Sequence, residues 1–333
     1  MSPGQFISNC AADAIDVAAK NLIAGHLVAF PTETVYGLGA DATNSTAVAR
    51  IYAVKGRPAD HPLIVHCSSM YGMNDWAAEI PEFAIALARD FWPGPMTLVL
   101  QRSELAQNFI TGNQETVGIR VPDHTLALAL LQAFEKAGGK GIAAPSANRF
   151  GHVSPTTAQA VSEELSEYLN PDDQILDGGP CAVGVESTII DCTGTTPRIL
   201  RPGAITIEII EQSTGIKLKN NQGPRRSSFT QTELATIRVS GSHEKHYSPS
   251  AKVILDQSPV AGQGYIALSQ HETPEGVIRI SAPSDPNDFA RDLYSSLRKA
   301  DELGLTEVVV ESPKGSGIAV AIRDRLSRAA NGR

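Results

Sequence analysis

The sequence predicts an α/β protein of two unequal units, and three observations carry that expectation. Short apolar runs alternate with segments whose apolar residues recur at helical spacing along most of the chain. The runs are punctuated by turns rich in the 28 glycines and 21 prolines. At 333 residues the chain also exceeds what one hydrophobic core comfortably organises.

Taken in order, Ala14, Ile15, Ala18 and Leu22 set a helix over 11–25, followed by a strand at 27–30 and a polar loop from Pro31. A helix over 45–54 ends near Lys55-Gly56-Arg57-Pro58, and 63–66 reads as the next strand. Helical text over 79–91 stops at Pro93-Gly94-Pro95, before a strand at 96–100. The strand at 117–121 places Arg120 between apolar neighbours, where a half-buried guanidinium needs a partner. Then come a helix at 124–137, a strand at 141–144 entering Pro145–Asn148, an amphipathic helix at 156–169, and strands at 174–177, 187–191 and 199–200. Turns are frequent enough to favour mixed rather than purely parallel pairing.

A second unit begins near Pro249, with strands at 253–255, 264–268, 276–280 and 306–310. Its helices fall at 286–303, carrying Phe289, Leu293, Tyr294, Leu297 and Leu303, and at 317–330. This is a small Rossmann-like α/β fold without a GxGxxG loop. The expected division is therefore 1–212, a linker at 213–248 and a C-terminal domain at 249–333.

The formal charge of −8 gives no global attraction to nucleic acid. Residues 213–247 differ, with six basic side chains, among them Lys217, Arg225, Arg226 and Arg238, against two acids. Such a linker fits either a phosphate contact or a solvated connector. Cys10, Cys67, Cys181 and Cys192 form no CxxC pair, which predicts buried thiols rather than a zinc site or a disulfide framework. No basic apolar leader and no 18-residue apolar run is present, so a cytoplasmic protein with no membrane insertion is expected. Trp76 and Trp92 read as core or rim aromatics, and Arg323, Arg325 and Arg328 as a solvated helical face.

The P-loop, HExxH and GxSxG motifs and clustered metal ligands are all missing, which leaves a distributed polar site. Lys55 and Arg57 around one glycine fit a phosphate clamp or a solvated helix end. Ser146 and Asn148 after a strand fit a ligand turn or an ordinary Asx turn. Thr32, Glu33, Thr34 and Tyr36 form one polar face, His66 ends a strand, and Arg120 suits a carboxylate.

In order along the chain stand PTETVYGLG, KGRPADHPLIVH, WPGPMTLVL, GIRVP, PSANRFGHVSPT, GVESTIID and LRPG. Together they resemble the YrdC-like domain of threonylcarbamoyl-AMP synthases over roughly residues 11–210. The remainder is similar to the longer form of that family, with a linker element here written SGSHEKHYSP before the C-terminal domain. The family usually has SPGMKxxHYxP, so the likeness holds at His246 to Pro249 and nothing is carried onto Ser242, His243 or Glu244.

The resemblance implies a twisted mixed sheet wrapped by helices. It also implies a nucleotidyltransferase that makes threonylcarbamoyl-AMP and pyrophosphate from L-threonine, bicarbonate and ATP. The product would pass to a tRNA threonylcarbamoyl transferase complex, with weak tRNA binding as a companion property. By the same resemblance Lys55 and Arg57 meet the phosphates, with Ser146, Asn148, Ser187 and Arg201 beside the nucleotide. Thr34, Tyr36, His66, Thr97 and Arg120 hold threonine, and His246 with Tyr247 gates the mouth. Mg²⁺ would ride mainly on ATP oxygens and water, Glu33 and Glu186 being the nearest acids and no protein metal site being expected. A carbamoyltransferase-like enzyme and an RNA-binding module are the rival readings.

Overall fold

The computed structural model describes residues 7–8, 12–218, 237–241 and 247–332. Cys10, most of the basic linker and His246 lie outside the described residues, so the expectations placed on them are not taken further.

The first unit is an eleven-stranded mixed sheet. Its strands are β1 (Ile7–Ser8), β2 (Val28–Phe30), β3 (Gly37–Asp41), β4 (Ile64–His66), β5 (Ala77–Glu79) and β6 (Met96–Arg102). They continue as β7 (Thr116–Arg120), β8 (Ile142–Ala143), β9 (Gln174–Leu176), β10 (Thr188–Asp191) and β11 (Arg198–Arg201). The order is β1-β9-β2-β3-β8-β4-β7-β6-β10-β11, with β5 paired to β6. The helices are α1 (Ala12–Ile23), α2 (Ser45–Lys55), α3 (Met73–Trp76), α4 (Glu82–Phe91), α5 (Asn108–Thr111), α6 (Thr125–Lys136), α7 (Ala158–Leu165) and α8 (Ile207–Thr214).

Alternation along the strands divides the core. Val28 and Phe30 join Leu22 of α1 and Leu130 and Phe134 of α6, whereas Ala29 turns to the larger cluster of Leu38, Val65, Leu98 and Ile119. Trp76 is fully buried there and Trp92 nearly so, as the sequence suggested.

The polar loop expected from Pro31 gives way at Gly37 to β3, antiparallel to β2 and β8. Glycine is depleted in strands, which hides this one in the sequence. Here it is required: a Cβ on Gly39 would stand 2.8 Å from Ile142 and 2.9 Å from Phe30. The short elements β5, α3 and α5 also carry too few residues to show a period, and α8 crosses the expected boundary at 212.

The second unit is a four-stranded parallel sheet of β12 (Lys252–Leu255), β13 (Gly264–Ile266), β14 (Ile278–Ser281) and β15 (Glu307–Val310), in the order β12-β15-β13-β14. Helices α9 (Pro286–Glu302) and α10 (Ile318–Ala330) share a core with Val253, Ile266 and Val308. That core also takes in Val35, Val153 and Val185 of the first unit, so the two units are packed through apolar contact. Among the described residues no helix is long and apolar enough to cross a membrane. Cys67, Cys181 and Cys192 are buried free thiols.

Candidate active site

A cleft at the ends of the central strands is lined by Thr32, Thr34, Arg57, His66, Arg120 and Ser146, together with Glu186, Ser187, Arg201, Ser240, Gly241 and Tyr247. Residues from eight stretches of chain meet there, which is why only short motifs were visible along the sequence.

Helix α2 ends at Gly56, whose φ of 61° lets the chain reverse without a Cβ clash. The reversal sends its two basic neighbours to different tasks. Lys55 Nζ donates to the main-chain carbonyls of Ser146, at 2.6 Å, and Asn148, and it does not line the cleft. Burial, then the Arg57 charge, holds its pKa well below the usual lysine range. Lys55 thus braces the 145–148 turn in this structure, whereas the expected clamp had it beside Arg57 on the phosphates. Arg57 does line the cleft. Its Nη2 donates to Pro62 O and Ser240 Oγ at 3.0 Å each, and its buried Nε has no partner. Burial lowers its pKa to about 10, so it stays charged at neutral pH.

Parallel pairing of β4 with β7 sets His66 opposite Arg120. Arg120 Nη1 donates to Thr34 Oγ1 at 3.0 Å, and Nη2 stands 2.7 Å from Glu33 Oε1, an ion pair not aligned as a hydrogen bond. The partner that a half-buried Arg120 demanded is therefore Glu33, yet Nε and Nη2 keep unused donor capacity. His66 Nδ1 is buried without a partner. Burial and the Arg120 charge depress its pKa to about 3, so the ring is neutral at pH 7 and a poor general base.

Ser146 lines the cleft, but Asn148 does not: its Nδ2 donates to the carbonyls of Arg149 and His152 at 2.8 Å each. Tyr36 and Thr97 also stand behind the wall. Tyr36 Oη donates to Gly179 O at 2.8 Å, and Thr97 Oγ1 shares a 2.8 Å hydrogen bond with Ser187 Oγ. Each hydroxyl thus contacts a turn or strand that shapes the cleft. Arg201 is gathered around Ser187, donating to its carbonyl from Nε at 3.0 Å and Nη2 at 2.9 Å, while Nη1 donates to Ser240 O at 2.8 Å.

The two acidic candidates are engaged differently, and both Glu33 carboxylate oxygens are buried without a hydrogen bond. Glu33 is the ion partner of Arg120. Glu186 Oε1 accepts from Ser154 Oγ at 2.7 Å, and Oε2 accepts from Tyr294 Oη at 2.8 Å and Arg325 Nε at 2.9 Å. Burial alone would raise the Glu186 pKa, but Arg325, Arg201 and Ser154 outweigh it and bring it to about 2. Among the described residues no group of three His, Cys, Asp or Glu side chains is arranged to hold a metal ion.

Arg325 corrects the solvated helical face. Its side chain is fully buried, whereas Arg323 caps the carbonyls of Pro313 and Gly315 and Arg328 pairs with Asp324. The signal was present: Ala321, Ile322, Arg325, Leu326 and Ala329 fall on one helical stripe, which puts Arg325 on the core face. Ser240 and Gly241 were missed because a linker element has no periodicity. Tyr247, expected at the mouth, lines the cleft and stacks on Tyr294 with ring centres 5.5 Å apart. Of the basic linker, Arg238 is held by its Nη2 on Gly112 O at 2.5 Å, and Val239 enters an apolar patch with Val99 and Ile189.

Comparison with known proteins agrees over the whole chain. The Sua5/YciO/YrdC family model, described as telomere recombination, matches residues 20–203, and that of the threonylcarbamoyl-AMP synthase C-terminal domain matches 205–331. The threonylcarbamoyl-AMP synthase of Pyrococcus abyssi is 39% identical over 95% of this chain and 93% of its own. That of Bacillus subtilis is likewise 39% identical, over 95% and 92%. The crystal structure of P. abyssi Sua5 complexed with L-threonine superposes with a TM-score of 0.84 at 38% identity, covering 98% of both chains.

Proposed function

The chain belongs to the threonylcarbamoyl-AMP synthase family, and from that premise we propose how its cleft works. It makes threonylcarbamoyl-AMP from L-threonine, bicarbonate and ATP. The observation that carries the residue assignment is the convergence of Arg57, Arg120 and His66 on one cleft with buried nitrogens that no protein group satisfies. Buried donors are rarely left unpaired without a ligand to meet them.

Arg120, with Thr34 beside it, takes the threonine carboxylate through its unused N–H groups, and neutral His66 offers a hydrogen bond without adding charge. The deprotonated threonine amine adds to the bicarbonate carbon, water leaves, and a carbamate remains. A carbamate oxygen then attacks the α-phosphorus of ATP, the bond to the β-phosphate oxygen breaks, and pyrophosphate departs. Arg57, Ser146, Ser187 and Arg201 hold the phosphates through this exchange, while Lys55, Asn148, Thr97 and Tyr36 keep the surrounding turns in place. The work is positioning and charge stabilisation, with no covalent protein intermediate. Mg²⁺ arrives on the phosphate oxygens as part of the nucleotide substrate.

Ser240, Gly241 and Tyr247 line the cleft, and this supports their shielding the labile carbamate from water. The product then passes to a tRNA threonylcarbamoyl transferase complex.

The test is direct. Protein with L-threonine, bicarbonate, Mg²⁺ and α-labelled ATP should yield labelled threonylcarbamoyl-AMP and pyrophosphate, and omitting threonine or bicarbonate should abolish the adenylate. ATP bound but left intact with all three substrates present would overturn the reading.

A further inference from the structure

Glu186 sits in the cleft wall immediately before Ser187, in the site assigned above to a triphosphate and an amino-acid carboxylate. A bare carboxylate at that place would repel both. It is not bare. Arg325 Nε of α10 lies 2.9 Å from Oε2, Tyr294 Oη of α9 donates to the same oxygen at 2.8 Å, and Arg325 Nη2 reaches the Glu186 carbonyl at 3.3 Å. The Arg325 side chain is completely excluded from solvent, so bulk water does not weaken the pair. Tyr247, which lines the same cleft, stacks on Tyr294 with Arg325 5.7 Å from its ring centre.

We propose that Arg325 and Tyr294 are positioning residues of the active site, supplied by the C-terminal unit: they neutralise and fix Glu186 so that the wall presents Ser187 and Arg201 to the ATP phosphates. The role rests on the ATP site assigned above and gives the second unit a part in nucleotide binding beyond its fold.

A charge-rescue experiment decides it. Arg325→Met leaves Glu186 uncompensated and should weaken Mg-ATP binding, measured by equilibrium titration, at least tenfold. KM for ATP should rise in parallel while kcat stays within threefold. Adding Glu186→Gln to Arg325→Met removes the stranded charge and should return ATP affinity to within threefold of the parent, a rescue that a purely architectural staple would not show. Arg325→Met binding ATP as the parent does, or a double variant that stays tenfold weak, would overturn the proposal. Where Arg325→Met fails to fold, Tyr294→Phe, which removes one donor from Glu186 and keeps the ring, takes its place: Mg-ATP affinity weakened at least threefold and restored by adding Glu186→Gln supports the role, and parental affinity in Tyr294→Phe ends it. A parent that binds ATP yet forms no adenylate defeats only the assigned reaction. A parent that binds no ATP defeats both.

Discussion

The substrate cleft and the Glu186 cluster lie side by side, and both bury charge, yet they treat it in opposite ways. In the cleft, Arg57 Nε, Arg120 Nε and His66 Nδ1 are buried without a hydrogen-bond partner, and the Arg120–Glu33 ion pair is not aligned as a hydrogen bond. In the cluster every Glu186 oxygen is met, by Ser154, Tyr294 and Arg325. Unmatched donors weaken a folded protein and await a ligand; a matched network orders the parts that surround it. The contrast marks Arg57, Arg120 and His66 as the cleft groups with capacity to spare, while Ser187 and Arg201 already bond one another and the matched cluster holds the wall.

The sharpest break would come at the cluster. Glu186→Ala removes one of the two carboxylates on the Arg325 guanidinium, Asp324 at 2.7 Å being the other, and leaves Ser154, Tyr294 and Arg325 Nε without their buried acceptor, so urea unfolding should show a loss of about 1–3 kcal/mol. A loss below about 1 kcal/mol would mean that the network carries no stability. The converse change in the cleft should act on rate. Arg57→Ala should lower adenylate formation by roughly 100-fold or more, the scale of losing one transition-state donor. Its unfolding midpoint should stay near that of the parent, because the lost guanidinium was only partly satisfied. A variant that lost stability and kept its rate would reverse the assignment.

Acid sharpens the comparison most gently. The His66 pKa falls from 6.5 to about 3 on folding, so the unfolded chain binds a proton that the folded chain refuses. Stability is then full above pH 6.5 and falls as the pH drops toward 3, by up to about 1.4 kcal/mol per pH unit for this one group. Glu186, depressed from 4.5 to about 2, adds a second loss that begins only below pH 4.5. A His66→Asn variant should lack the upper limb of the profile and keep the lower one. An unchanged upper limb in unfolding measured across pH 3–7 would remove His66 as its cause.

Legibility followed chain periodicity and failed where tertiary burial decides. β4, β6 and β7 announce themselves as apolar runs, whereas β3 is written with glycines because Phe30 and Ile142 leave no room for side chains. Arg57 and Arg120 stood out as cations beside apolar or proline-fixed neighbours, but ligand and structural readings stayed open until the family resemblance implied a site role. Lys55 belongs to the same motif, but no pattern along the chain distinguishes an ammonium aimed at carbonyls from one aimed at phosphate. Arg325 lay on the apolar stripe of its helix, and that spacing held more information than its charge.

Arg325 is joined to the chain 139 residues after Glu186. At a synthesis rate of roughly 5–20 residues per second, Glu186 is made on the order of ten seconds before the guanidinium that pairs with it. Over that interval Ser154 is the side-chain partner already present in the chain for its carboxylate. The ion pair at the cleft wall is thus a late product of synthesis, completed only when α10 has been made.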